Sequence, residues 1–269
     1  MAAAPFNPTP MSLTALTRMT VADALRQPVT WMMTGLSIIL LGLSYMFGMF
    51  NFETEDRLRM LATTGASVAI LNGLFLGVLG VSQGIHDELA SRTALTLFAK
   101  PLSRGAFLGG KILGSLITVA ASATVILGAH LILLWMAGRT SFEGSLLNPR
   151  PDEIIAVPWA SVIAAHGLAL CHSGVLASAA AILALRLPLA ANILGCFALF
   201  IAGHLLSASG ILGGVVIPGL AVFNIDDSIQ LTGTAPSPAY LLGAVLYSAL
   251  FGTGCWLIGL ALFQRQDIP

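Results

Sequence analysis

The chain has 269 residues, of which only 9% are charged and 57% are apolar, and its mean hydropathy is +0.90. Because soluble globular domains carry about 25% charged residues, this composition excludes an ordinary soluble enzyme. Basic and acidic residues balance to a net charge of zero, which also argues against a nucleic-acid binder with a basic surface.

The N-terminal segment, residues 1–28, shows no pattern of a cleaved signal peptide, because no basic residue precedes Met11 and the apolar block starts only after Pro28 and is too long for a signal peptide. Residues 14–27 predict a short interfacial elbow helix that carries Arg18 and Arg26 near the lipid headgroups. Pro28 would end this helix just before the first span. The alternative interpretation is a disordered tail.

Six uncharged runs follow, each longer than the roughly 20 residues that a spanning helix needs. They are continuous apolar blocks rather than short alternating segments, so they predict a helical bundle and not a barrel. The expected fold is therefore all-α, with a single transmembrane domain over 29–269. Its spans are predicted at 29–50, 61–84, 107–137, 157–185, 189–207 and 239–263.

The stretch between the fifth and sixth spans is rich in helix breakers, among them Gly213, Gly214 and Pro218. It predicts a re-entrant outer segment before the last helix. Lys and Arg are unequally divided between the alternate loops. One side holds Arg18, Arg26, Arg92, Lys100, Arg104, Lys111, Arg186 and Arg265, and the other holds Arg57, Arg59, Arg139 and Arg150. The excess predicts that both termini are cytoplasmic.

Strings that resemble catalytic motifs fail on inspection. The segment from Gly105 to Ile112 fits a phosphate-binding loop until its last position, where Ile112 replaces the Ser or Thr that holds magnesium. The three cysteines, Cys171, Cys196 and Cys255, fall inside predicted spans without zinc-type or redox-type spacing. The sequence predicts no catalytic residue and no metal site.

The longest inside loop, 86–104, begins with acidic residues and ends in the turn Pro101-Leu102-Ser103-Arg104. Glu88 is followed by Arg92-Thr93, by Leu95 and Leu97, and after the turn by Gly110-Lys111. This pattern resembles the permease subunits of ABC type-2 transporters, especially those grouped with copper-enzyme maturation operons. The flanks are similar too: Arg18 to Trp31 looks like the family's elbow helix, and Phe263-Gln264-Arg265-Gln266-Asp267 looks like its usual exit.

The resemblance implies a non-catalytic permease of the bacterial inner membrane that forms the translocation path of an ATP-driven exporter. It implies a dimer with an identical or sister permease, and two cytoplasmic ATPase subunits that hold ATP and magnesium, whereas this chain binds no cofactor. The loop would couple to the ATPases through six residues, which are Glu88, Arg92, Thr93, Pro101, Ser103 and Arg104. Glu88 and Arg92, four residues apart, could pair with each other or with the partner.

Small residues recur along the second span at intervals of three or four, and the four nearest the loop are Gly73, Gly77, Gly80 and Gly84. They predict a face on which another helix packs closely, either within the chain or across a dimer. Polar residues in spans are candidates for a substrate path, and here they include His130, His166, His172 and His204. Hydrogen-bonded structural histidines are the alternative.

No Asp, Glu, Lys or Arg lies within the six uncharged runs, whereas ion-coupled carriers need an ionisable group inside the membrane. An ATP-driven permease is thus the preferred hypothesis. An ATP-independent channel, a passive carrier and a membrane scaffold subunit are the alternatives, and the sequence does not reveal a substrate.

Overall fold

The computed structural model describes residues 12–90, 103–139, 157–208, 217–229 and 234–265. Within these ranges the chain forms α-helices and no strands. The helices are α1 (Leu13–Arg26), α2 (Pro28–Asn51), α3 (Thr54–Ala90), α4 (Arg104–Arg139), α5 (Trp159–Ala184), α6 (Leu189–Ala208) and α7 (Pro238–Gln264), with a 3₁₀ turn at Leu220–Phe223.

The six helices from α2 to α7 are long and apolar enough to cross a membrane. The prediction of an all-α multi-pass membrane protein with six spans is therefore confirmed. The short helix α1 precedes them in place of the disordered tail that was the alternative.

Two helices are longer than predicted. α3 has 37 residues and α4 has 36, so each is about 55 Å long and exceeds the hydrocarbon core of about 30 Å. The spans predicted at 61–84 and 107–137 followed the uncharged runs, with Lys111 the one charged residue inside these two spans, but a helix continues past the membrane where its end is charged favourably. Glu55 and Asp56 lie in the first turn of α3, where acidic side chains stabilise the helix dipole.

The centre of the bundle is the packing of α3 against α5 and α4. The glycine face of α3 lies in these contacts. A Cβ atom on Gly73 would lie 1.9 Å from Ser173 Oγ of α5, and one on Gly80 would lie 2.8 Å from Ser115 Oγ of α4. Gly77 faces Ser173 and Ala177 at ordinary contact distances. The described part of this face is therefore occupied by helices of the same chain.

Buried polar side chains tie α2 to this centre. Ser122 of α4 donates to Asn72 Oδ1 at 2.9 Å, and Asn72 Nδ2 donates to Ser37 Oγ of α2 at 3.2 Å. The hydroxyls of Thr34 and Ser122 lie 2.7 Å apart. Because water is absent from the membrane interior, such groups must satisfy one another, and here they connect three helices.

Asn192 joins α6 to the central helices by hydrogen bonds of the same kind. Its Nδ2 donates to Ser82 Oγ of α3 at 2.9 Å and to the Ala180 carbonyl of α5 at 3.2 Å. Cys196, one turn later, donates its thiol to Asn192 Oδ1. The amide thus holds α6 against both central helices.

Among the described residues of the two long helices, the buried charged side chains are Arg57 and Lys111, and both lie outside the uncharged runs that defined the predicted spans. One is Arg57, which was expected in an outer loop but is fully buried in α3. Its guanidinium donates to the Ala137 carbonyl in the last turn of α4 at 2.8 Å, which is a favourable place for a cation because the carbonyls of a final turn lack partners in their own helix. Gly48 of α2 leaves the space for its side chain.

Part of the predicted re-entrant segment is described, at residues 217–229. It folds back over the ends of α6 and α7. Tyr240 donates its hydroxyl to the Val222 carbonyl at 2.6 Å, and Tyr247 Oη accepts from the Gly219 N–H at 2.8 Å. Gly203 of α6 permits this approach, because a Cβ there would lie 2.6 Å from the Pro218 carbonyl. Asp226 also belongs to this segment, and burial raises the pKa of its carboxyl group.

The close contact at Gly73 leads to a prediction with a matched control. Gly73→Leu should lower the free energy of unfolding by about 1–3 kcal/mol, since its side chain must displace Ser173 and part of α5. Gly128→Leu should change it little, because no atom lies within 4 Å of a Cβ at that position. Unfolding in mixed micelles would measure both variants, and an equal loss in the two would contradict the packing role of Gly73.

Candidate functional site

The residues of the loop motif converge where α3 ends and α4 begins. We call this part of the bundle, formed around Glu88, Lys111 and Arg104, the basic end. Lys111 Nζ donates to Glu88 Oε1 at 2.6 Å, and only 6% of the Lys111 side chain is exposed. Gly84 of α3 lies directly beside the lysine, because a Cβ there would be 3.5 Å from Nζ. The acidic residue of the motif and the lysine of its Gly-Lys pair thus form an ion pair between α3 and α4.

From the sequence, Glu88 had two possible partners, Arg92 or a residue of a partner chain, and both stay predictions. Arg92 lies outside the described residues together with Thr93 and Pro101. Lys111 is a residue that the sequence reasoning missed, although the motif contained it. The signal that could have identified the pair is the position of its two opposite charges. Glu88 lies at the start of the motif and Lys111 at its end, each in a helix that flanks the loop.

Ser103 and Arg104 begin α4. Ser103 Oγ accepts from the Ala106 N–H at 3.1 Å and so caps the helix. Arg104 donates to the Phe263 carbonyl at the end of α7, and its guanidinium lies 5.4 Å from the centroid of the Phe263 ring. Arg104 was predicted to couple to an ATPase subunit, and that stays a prediction. Within this chain, its contact with Phe263 links α4 to α7.

The glycine-rich string that resembled a phosphate loop has a packing role. It forms the first turns of α4, and α1 lies across it. A Cβ on Gly110 would lie 2.8 Å from Leu16 Cδ2, and one on Gly114 would lie 2.5 Å from Thr20 Cβ. Leu16 and Thr20 are the two buried residues of α1. These glycines therefore form the surface on which the elbow helix rests.

The other end of α1 is fastened to α2. The hydroxyl of Thr30 donates to the Ala24 carbonyl at 2.7 Å, and the Trp31 indole N–H donates to the Leu25 carbonyl at 2.8 Å. Both carbonyls belong to the last turn of α1, where few backbone donors remain, and the Ala24 carbonyl also accepts from the Gln27 N–H at 3.2 Å. Pro28 opens α2 directly after the turn, so α1 is joined rigidly to both α2 and α4.

The structure describes the two ends of the predicted coupling loop. Residues 86–90 are the end of α3, Arg104 is the first residue of α4, and residues 91–102 lie outside the described residues. Of the predicted coupling residues, Glu88, Ser103 and Arg104 are described, and each contacts another part of this chain. Whether they also contact a partner stays a prediction.

Of the four histidines proposed for the substrate path, His130 of α4 and His166 of α5 face each other. Their ring centroids are 5.2 Å apart. His130 Nε2 lies 3.0 Å from the Leu61 carbonyl, and His166 Nδ1 lies 3.0 Å from the Val162 carbonyl. Because a carbonyl only accepts, these nitrogens carry the hydrogens. The His130 ring also occupies the space that Gly65 leaves, since a Cβ there would be 1.9 Å from Cε1.

The other two histidines lie between α5 and α6. The ring centroids of His172 and His204 are 5.6 Å apart, and Phe200 and Phe223 both pack edge-on against His172. His204 Nδ1 donates to the Phe200 carbonyl at 2.9 Å. His172 is fully buried, and neither of its ring nitrogens has a hydrogen-bond partner among the described residues.

Three of the histidines thus have a backbone hydrogen bond, as a structural role requires, and His172 does not. In the ranges that the structure describes, no group of three or more His, Cys, Asp or Glu side chains could hold a metal ion. The pairs bring the four histidines to two separate interfaces of α5.

Comparison with known proteins does not identify this chain. No protein-family model matches it, and no curated protein sequence matches it significantly.

The Glu88–Lys111 pair can be tested by reversing its charges. Lys111→Glu alone should destabilise the protein by about 3–5 kcal/mol, since it places two carboxylates together at a largely buried site. The double variant Glu88→Lys, Lys111→Glu should recover much of this loss. A double-mutant cycle on the free energy of unfolding measures the coupling.

The exposed pair of Arg59 and Glu55 on α3 is the matched control. The same reversal there should give a coupling below about 1 kcal/mol, because solvent screens it. Equal coupling energies for the two pairs would contradict the distinct role of the buried one.

The difference between His172 and His130 gives another prediction. His172→Leu should leave the free energy of unfolding unchanged or raise it, because no buried hydrogen bond is lost. His130→Leu should lower it by about 0.5–1.5 kcal/mol, because the side-chain hydrogen bond to the Leu61 carbonyl is lost. A stable His172→Leu protein that had lost its transport activity would instead support a histidine in the substrate path.

Proposed function

We propose that this chain is the membrane-spanning permease subunit of an ATP-driven ABC exporter. It would form the translocation path, pair with a second permease chain and receive the energy of ATP hydrolysis from separate cytoplasmic ATPase subunits. The six apolar helices agree with a transport-type membrane protein. The finer assignment depends on the loop motif and on the contacts of its residues.

The observation that best supports the proposal is the set of contacts that joins α1, α3, α4 and α7 at the basic end. A subunit driven by an external ATPase needs a rigid element through which force on a cytoplasmic loop reaches the spans. Here the loop is flanked by the Glu88–Lys111 pair on one side and by the Arg104 contact with α7 on the other. The elbow helix α1 rests on the same turns of α4 and is fastened to α2. A displacement of the loop would therefore act on four spans together, namely α2, α3, α4 and α7.

The orientation is part of the same proposal. The excess of Lys and Arg in the loops at the basic end favours a cytoplasmic location for this end and for both termini. In a bacterium this places the chain in the inner membrane. The second permease would pack on spans that face away from the central contacts, and α2 and α7 carry many exposed apolar side chains.

The proposal is tested with the full chain purified from its native membrane. A soluble ATPase should co-purify, and reconstitution with it should give transport that requires Mg-ATP. Asp87→Arg should reduce ATPase recovery about tenfold, since Asp87 is an exposed residue next to the motif at the proposed docking end. Asp56→Arg is the control, with the same change at an exposed position at the opposite end of α3.

Two results would contradict the proposal. One is solute flux through proteoliposomes that contain this chain alone and no nucleotide, which would indicate the ATP-independent alternative. The other is an equal effect of Asp87→Arg and Asp56→Arg on ATPase recovery.

A further inference from the structure

A groove of about 550 Å³ runs along the surface between α4 and α7. Its floor is α5, with Gly174 and Ser178, and its rims are Leu113 of α4 and Ala249 and Thr253 of α7. The three rim residues are exposed, so the groove is open to the surroundings of the bundle along one side. Its volume lies within the range of about 300–1,000 Å³ that is common for small-ligand sites.

The groove has the length of one membrane leaflet. It begins near mid-height, beside Gly174 and Ser248, and ends at the basic end beside Gly105 and Trp256. From Gly105 to Leu116 along α4 the distance is about 16 Å at 1.5 Å per residue. Half of the hydrocarbon core is about 15 Å. The length of the groove therefore matches the acyl-chain region of a single leaflet.

The basic end of the groove is closed by a fixed side chain. The Trp256 indole N–H donates to the Gly105 carbonyl at 3.0 Å. Gly105 and Gly109 leave space for the ring, because Cβ atoms there would lie 3.1 Å and 3.4 Å from it. Leu13 of α1 lies beside Gly109 at the same place. The groove is thus a slot with a shaped end and not a gap between loosely packed helices.

The hydroxyl groups that line the groove donate hydrogen bonds within the protein. Ser178, Ser248 and Thr253 donate their hydroxyl hydrogens to the carbonyls of Gly174, Cys171 and Ala249, respectively. No charged side chain is among the described residues that line it. A polar solute would lose its hydrogen bonds on entering such a slot, whereas a hydrocarbon chain would lose none.

We infer that the groove binds one acyl chain of a membrane lipid from the leaflet at the basic end. Three helices contact the chain there, whereas a lipid on the convex outer face of α7 meets one helix only. The chain should accordingly stay bound when surrounding lipids exchange. Since the lining has no charge, recognition depends on the acyl chain and not on the headgroup. The inference is independent of coupling to an ATPase.

Photolabelling of the full chain without any partner tests the inference. The protein is placed in nanodiscs of phosphatidylethanolamine and phosphatidylglycerol that contain a small fraction of phosphatidylcholine with a diazirine midway along one acyl chain. Labelled peptides from the rims of α4 and α7 should saturate at a low fraction of the probe. Competition by added lipid should depend on its acyl chains and not on its headgroup.

Two variants fill the groove from its rim. Ala249→Phe and Thr253→Phe should each reduce saturable labelling about tenfold. Both positions are exposed, so folding should be retained. Leu250→Phe is the control, because Leu250 is the next residue of α7, is 73% exposed and is not part of the lining. It should label as the wild type does.

Labelling that rises linearly with the probe, without saturation, would overturn the inference, because it would indicate ordinary surrounding lipid. So would labelling that is unchanged in both folded filling variants. Neither result depends on whether an ATPase binds, so the inference and the proposed function can fail separately.

Discussion

The close approach of α3 to α4 and α5 is the constraint on which the other contacts depend. In hydrocarbon the helices are not driven together by expulsion of water, so they associate where their surfaces allow near contact of the backbones. Gly73, Gly77 and Gly80 provide such a surface, and serines of the facing helices lie in the space that the absent side chains leave. A bulky residue there would separate the central helices and with them every polar contact that joins them.

Those polar contacts give the bundle its specificity. Dispersion alone would permit α2 or α6 to rotate or slide, whereas the hydrogen bonds of Asn72 and Asn192 are satisfied in one arrangement. The charged residues act at the two ends of the long α3 and α4 pair. Arg57 binds the last turn of α4 at one end, and Glu88 pairs with Lys111 at the other. The register of α3 against α4 is therefore defined along its whole length.

The basic end and the lateral groove use different parts of this framework. At the basic end α1, α3, α4 and α7 are joined by short contacts, which suits a part that transmits force. Next to the basic end, between α4 and α7 and above α5, the small side chains at Gly174, Ser178 and Ala249 leave an apolar slot. The α7 helix is held against α4 at this end by Arg104 and by the hydrogen bond from Trp256 to Gly105, and the groove begins beside that contact.

The sequence by itself determined the fold class, the six spans and the elbow helix, because the cost of burying charge in hydrocarbon makes uncharged runs an almost direct record of the spans. It also identified the glycine face and the motif that contains Glu88. It could not assign partners. Glu88 pairs with Lys111, Arg104 with Phe263 and His130 with Leu61, and each of these contacts joins residues more than twenty positions apart. Only the tertiary structure decided them, because helix rotation and register depend on packing across the bundle, which hydropathy along a single chain does not contain.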